Sequence, residues 1–175
     1  PIVGLEPSCL LTLRDEFLTL LPGEDARALA QNAFLFEEFA AREAKAGRFD
    51  LKMHDTGQGA HVHGHCHQKA AGVMGDMGAA LDLVPGLAAQ NIESSCCGMA
   101  GAFGYGAETY DVSIRMGELS LLPAVRAAAP DDLVIANGTS CRHQIADGTG
   151  RRAVHIAEVF DRASAETAGK GQEHV

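Results

Sequence analysis

Each of the five cysteines (Cys9, Cys66, Cys96, Cys97, Cys141) lies at or just beyond a short extended segment. The segments are 2–6 (IVGLE), 61–66 (HVHGHC), 91–94 (NIES) and 133–136 (LVIA), the last a continuous apolar run. Between them the apolar residues recur at helical spacing. Leu10, Leu13, Phe17 and Leu20 form one such stripe, ended by Pro22 and Gly23. Leu29, Ala33, Phe36 and Ala40 form a second within a helix expected over 24–45, with Glu37, Glu38, Arg42 and Glu43 on its solvated side. Residues 55–59 read as a loop. Further helices are expected over 68–83, from about 108 with a break at or near Pro123, from about 141, and at the end of the chain to about 163. A short segment over 153–156 precedes the last one.

Short strands alternating with helices predict an α/β fold: a mostly parallel sheet, Rossmann-like, with helices on both faces. In such a sheet the carboxyl ends of all strands share one edge, where binding sites form. Cysteines far apart in sequence therefore converge there.

A chain of 175 residues that is 46% hydrophobic can bury a real core. It holds no apolar run near the ~18 residues of a membrane span. The net charge of −9 opposes nucleic-acid binding. An odd cysteine count with two adjacent thiols fits a reducing compartment better than a disulfide framework, and there a cysteine set points to metal or catalysis. A vicinal Cys96–Cys97 disulfide would be strained, yet a thiol–disulfide redox site at that pair is one alternative, and a zinc ion that staples the strand ends into a docking scaffold is another. Several thiolates around one site suit zinc or an iron–sulfur cluster, because soft sulfur matches those ions. Gly98, Gly101, Gly104 and Gly106 follow the cysteine pair and allow the backbone path that adjacent ligands need. Helices starting beside the cysteines aim amides at the same edge, which favours thiolate.

In an extended 61–66 segment, His61, His63 and His65 would share a face, as a three-imidazole site requires. Cys66 and His67 interrupt that pattern. These histidines are instead read as packing or hydrogen bonding around Cys66, and His155 as a core or supporting residue. Lys69 and Arg142 are surface residues by default and could offset thiolate charge.

The motifs HGHCHQKA, SSCCGMAGAFGY and GTSCRHQI, the last after an intervening helix, together resemble the cysteine-rich CCG domain. That domain occurs in glycerol-3-phosphate dehydrogenases, in glycolate oxidase iron–sulfur subunits, in lactate-utilisation proteins and in heterodisulfide reductases. The chain is similar to the C-terminal end of large FAD-linked oxidases of D-2-hydroxy acids such as lactate, glycolate or 2-hydroxyglutarate. The likeness covers residues 66–160. It implies an iron–sulfur electron-transfer module, with Cys66, Cys96, Cys97 and Cys141 as metal ligands and Cys9 as a further candidate. His65, His67, Gly98 and Gln144 would support them, and no catalytic residue falls in this chain. The implied cofactor is a 4Fe–4S cluster, with zinc the alternative and FAD in an upstream domain. The implied partners are flavin and ferredoxin-like domains and a quinone or other acceptor. The implied location is the cytoplasm or the inner face of the membrane.

CCG domains come as two repeats. Residues 1–58 resemble the end of a truncated first repeat, 59–163 a second, and 164–175 a frayed tail. Cys9 would then correspond to Cys141, and the chain would be a piece of a longer protein whose cut surface could pair in a homodimer. Many repeats close on CxxC. Here Gly138 stands at the first of those positions, leaving four thiolates in the second repeat.

Overall fold

The computed structural model describes residues 1–164. The chain opens with β1 (Ile2–Gly4), α1 (Pro7–Leu10), a 3-10 turn (Leu11–Arg14), α2 (Glu16–Leu20), α3 (Glu24–Asn32), β2 (Ala33–Leu35) and α4 (Phe36–Lys45). After an irregular stretch over 46–58 come β3 (Gly59–His63), α5 (Cys66–Ala70), α6 (Met74–Leu81) and β4 (Ala88–Asn91). The rest is a 3-10 turn (Phe103–Tyr105), α7 (Tyr110–Glu118), α8 (Leu121–Ala127), β5 (Leu133–Ala136), α9 (Thr139–Thr149), β6 (Ala153–Val154) and α10 (Ile156–Ser164). Beyond Ser164, the expected tail lies outside the described residues.

The fold is α/β, as the alternation requires. Four strands form one parallel sheet in the order β4-β3-β5-β6, and β1 and β2 form a separate parallel pair. Side chains alternate across the main sheet. Val62, Ile135 and Val154 face a core shared with α4, α6 and α10, through Ala40, Met77, Leu81, Val159 and Phe160. Val134, Ala136 and Ala153 face the opposite core, built from Leu121, Leu122, Val125 and Ile145. That second core also contains Cys97 and Cys141. The register sets Val62 against Ile135 and His63 against Ala136, so His63 points to the cysteine-bearing face.

Several elements depart from the pattern expected of the sequence. The helix expected over 24–45 is interrupted by β2, because Ala33 to Leu35 supply the parallel partner of β1. The expected buried strand at the start is shorter and largely exposed, with Ile2 at 43% and Val3 at 42%, since β1 has only one neighbour among the described residues. The stripe from Leu10 to Leu20 is split between α1, the 3-10 turn and α2. The helix expected over 68–83 breaks at Gly72, which takes the left-handed conformation (φ 71°) and separates α5 from α6. The strand expected at 91–94 lies at Ala88–Asn91 instead. Its ladder ends where the Ile92 amide donates to the Val62 carbonyl (2.8 Å), and the chain then turns toward Cys96. Pro123 sits in the first turn of α8, where its missing N–H costs no helical hydrogen bond.

The β1–β2 and β5–β6 units repeat one another. Ile2 pairs Ala33 just as Val134 pairs Ala153. The Leu35 amide donates to the Glu38 carboxylate (2.9 Å) at the start of α4, and the His155 amide to the Glu158 carboxylate (3.0 Å) at the start of α10. Cys9 and Cys141 each lie five residues past the end of their strand. The units are also joined. Glu6 accepts hydrogen bonds from the Thr139 amide and hydroxyl, both at 2.9 Å, and His155 Nε2 lies 2.9 Å from the Leu5 carbonyl oxygen.

Glu37, expected on the solvated side of its helix, is 1% exposed. The break at β2 rotates α4 so that its first turn faces inward, and the Gln68 side-chain amide donates to the Glu37 carboxylate. Burial raises the Glu37 pKa above its ordinary value of 4.5. A native carboxyl that binds its proton more tightly than the unfolded one loses stability as pH rises from that ordinary value through the raised one. Glu37→Gln should therefore flatten the fall of the urea midpoint over that window. Glu37→Ala, which strands the Gln68 donor, should cost ~1–3 kcal/mol.

Candidate metal centre

The carboxyl ends of β3, β4 and β5 bring four cysteines to one edge. Cys66 is the first residue of α5 and exposed, Cys96 is half-buried in the loop after β4, and Cys97 and Cys141 are buried. The Cys97 and Cys141 sulfurs are 3.4 Å apart. Two thiolates on one tetrahedral ion with ~2.3 Å bonds stand roughly 3.8 Å apart, so this pair is spaced for a shared metal. A ring nitrogen of His63 joins them, and the three ligand atoms lie within 4.8 Å of one another. The adjacent thiols diverge: Cys97 meets Cys141, whereas the Cys96 sulfur accepts from the Gly98 amide (3.3 Å) and neighbours Cys66.

The loop carrying Cys96 and Cys97 is held from several sides. The Lys69 ammonium donates to the Ser94 carbonyl and to the Ser95 carbonyl (3.0 Å), so this residue is a loop anchor as well as a charge. Gly98 has φ 99°, and a Cβ there would lie 2.1 Å from the Ser113 carbonyl oxygen. Gln144 donates to the Cys97 carbonyl, the Ser113 carbonyl and the Ser113 hydroxyl, each at 3.0 Å. It therefore fixes the backbone of a cysteine and touches no sulfur. Arg142 donates to the Ala136 carbonyl (3.0 Å) and closes the end of β5.

His65 is buried and caps α5: its Nδ1 accepts from the His67 amide (3.2 Å), and its own amide donates to Gln68 (2.8 Å). Its ring fills the space beside Gly138. A Cβ on residue 138 would lie 2.3 Å from His65 Cδ2 and 3.3 Å from the Cys141 sulfur. The position where CxxC repeats carry a cysteine is thus occupied by imidazole. His67 is exposed, its ring centroid 5.1 Å from that of His65. Cys9 is exposed on α1 and, like Cys66 and Cys96, belongs to no group of three or more converging ligand atoms among the described residues.

The thiols do not all behave as the nearby helix starts suggest. A hydrogen bond from Cys141, working against burial and aided by the Met99 amide, brings the Cys97 pKa down to about 4. Cys141 is pushed the other way by donating to Cys97 and by burial. Partial desolvation of the thiol, although the residue is exposed as a whole, raises Cys66 to about 11, reinforced by the Cys96 sulfur. The amide at the start of α9 is taken by Glu6 rather than left for Cys141. The surroundings thus favour one thiolate, and binding a cation would expel protons from the other thiols. Burial, followed by the charge of His67, lowers the His65 pKa and favours its neutral ring.

His63 is the site residue that sequence reasoning did not single out. As one of three alternating histidines it looked no different from His61. Yet His61 lies lower on β3, where it pairs with Asp132 (2.9 Å), and only His63 reaches the carboxyl edge. Being last in its strand, on the face opposite Val62, is the signal that could have found it.

Comparison with known proteins gives relatives that include two kinds of dehydrogenase. The chain is 31% identical over 158 residues to D-2-hydroxyglutarate dehydrogenase of Escherichia coli (strain K12) and 30% identical over 159 residues to that of Pantoea ananatis (strain AJ13355). Each match covers 87% of this chain but 14% of the relative. It is 27% identical over 165 residues to one subunit of the anaerobic glycerol-3-phosphate dehydrogenase of Escherichia coli (strain K12), covering 94% of this chain and 41% of that protein. The chain thus spans a small part of its curated relatives, which are dehydrogenases. No family model and no solved structure matches it significantly.

Proposed function

We propose that this chain is the metal-binding, electron-transfer part of a larger oxidoreductase, a CCG-type domain in which Cys66, Cys96, Cys97 and Cys141 hold an iron–sulfur cluster of the 4Fe–4S class. The observation that carries this reading is the meeting of four thiols from three strand ends at one edge, two of them buried side by side. Soft donors in that number suit such a cluster. When bound, the cluster would accept and release single electrons. The chain's own residues would do the rest. Cys97 offers a ready thiolate, Lys69 and Gln144 hold its loop, and the buried wall of Leu121, Leu122 and Ile145 lowers the local dielectric.

The dehydrogenase relatives support a source of electrons in a D-2-hydroxy acid oxidised at FAD elsewhere in the full protein. Electrons would pass through a ferredoxin-like domain to this one and on to a quinone or other acceptor. Residues 1–58 would be the end of a first repeat and 59–163 a second, a division supported by the matching registers of β1–β2 and β5–β6. Among the described residues no helix is long and apolar enough to cross a membrane. A place in the cytoplasm, or at the inner membrane face beside a quinone, fits this reading, and so does a homodimer of this piece through its exposed first strand.

A second reading has its own observation. The 3.4 Å between the Cys97 and Cys141 sulfurs suits one ion, as in a structural zinc site that staples the strand ends. Iron, sulfide and zinc analysis of protein purified without oxygen separates the two. Iron with sulfide and visible absorbance is the expected result. Zinc alone would replace the electron-transfer reading with the structural one, and absence of any metal after anaerobic reconstitution would remove both.

A further inference from the structure

Four observations single out His63. Its side chain is 1% exposed on the sheet face that carries Cys97 and Cys141. Its Nδ1 lies 2.8 Å from the Ser94 hydroxyl. That hydroxyl has its own acceptor in the Ile92 carbonyl at 3.5 Å, so it is free to accept the Nδ1 proton. The remaining nitrogen, Nε2, is the one buried side-chain polar atom without a hydrogen-bond partner among the described residues.

A buried imidazole nitrogen without a partner costs stability unless something occupies its lone pair. With the Ser94 hydroxyl as acceptor the ring carries its proton on Nδ1, which leaves Nε2 as the nitrogen free for a metal beside the two buried sulfurs. A metal-bound histidine has this form: one nitrogen on the metal, the other donating to an oxygen acceptor behind it. Ser94 is also on the loop that delivers Cys96 and Cys97, so the same contact aligns the histidine with the thiolates.

We propose that His63 is a metal ligand through Nε2, forming a buried His63–Cys97–Cys141 donor set in which one mouth thiol, Cys66 or Cys96, supplies the fourth ligand and the other stays outside the coordination shell. A neutral imidazole in place of a thiolate removes one negative charge from a buried centre. In an iron–sulfur cluster that exchange raises the potential, and at a zinc ion it gives mixed nitrogen and sulfur ligation. This inference rests on the metal-binding reading above but not on the identity of the metal.

The test uses the whole chain purified anaerobically, with histidine carrying either 14N or 15N. In an iron-loaded sample, pulsed EPR of the paramagnetic cluster should show a strongly coupled nitrogen that changes with the isotope. In a zinc-loaded sample, X-ray absorption at the zinc edge should show one nitrogen among sulfur ligands. His63→Ala should lower metal affinity more than ~100-fold, beyond the usual loss for an outer-shell partner. His63→Cys should retain metal while losing the nitrogen signal, which a merely structural histidine would not do. A metal bound in the wild-type protein with sulfur ligands only would overturn the proposal, whether or not the variants fold. Zinc with a nitrogen ligand sinks electron transfer and keeps His63; an iron–sulfur cluster without one does the reverse. Protein that takes up no metal overturns both.

Discussion

Cys97→Ser and Cys141→Ser should each abolish metal retention, with affinity falling more than ~100-fold. Cys9→Ser should leave metal content unchanged. The contrast follows from position. Cys97 and Cys141 are 2% and 1% exposed, their sulfurs touch, and Cys97 is the thiol held as thiolate. Serine at either position removes the soft donor from the wall of the site, where no other side chain can move in to replace it. Cys9 is exposed on α1. Metal-to-protein ratios of anaerobic preparations measure the difference directly. Retention of metal by Cys97→Ser would move the centre to the exposed mouth and away from the buried pair.

The second large effect is structural. Gly98→Ala should cost more than ~3 kcal/mol and should empty the site as well. The strained conformation alone accounts for ~1–3 kcal/mol. The rest comes from overlap, because the new methyl group would meet the Ser113 carbonyl oxygen at 2.1 Å. That oxygen belongs to the backbone of α7 and is already bonded to Gln144, so relief would break the hydrogen bonds that also hold the Cys97 carbonyl. Gly101→Ala is the control. Gly101 has φ 70°, but its Cβ would meet nothing within 4 Å, so only the conformational term of about 1–2 kcal/mol remains. Denaturant unfolding of the two variants should separate overlap from strain. Equal losses would mean that α7 yields easily.

The two glycines look alike in the sequence, and that is where sequence reading stops. It supplies the need for unusual backbone after Cys97. It does not supply the neighbour that turns one glycine into a tight contact. The same limit explains which elements were legible. LVIA could be read because a continuous apolar run must be buried on both faces, and the structure places β5 there. AAQN could not, because an exposed edge strand has no hydrophobic pattern to show. Ala33 to Leu35 fit a helical stripe and a strand equally well, and only the need of β1 for a partner decided between them. Glu37 was misplaced by the same error, since three extended residues rotate every side chain after them.

The meeting of Cys97 and Cys141 was legible because it follows from topology: parallel strands end at one edge. The division of labour among them was not. That Cys97 faces Cys141, that Gln144 grips a carbonyl and that His65 fills the space beside Gly138 depend on packing across residues more than thirty apart in the chain. His63 belongs to this class. Its chemistry was visible, but its distinction from His61 lies only in where β3 stops.

The bonds from Glu6 to Thr139 and from Leu5 to His155 give the molecule a mechanical property. They clamp the first strand unit to the starts of α9 and α10, at the end of α9 that carries Cys141. The stretch over 46–58 is pinned as well: Phe49 packs edge-on against Phe160, and the His54 amide donates to the Ala163 carbonyl (2.9 Å). Cutting the chain there would leave the two halves gripping each other, through this clamp and through the core that α4 shares with α6 and α10.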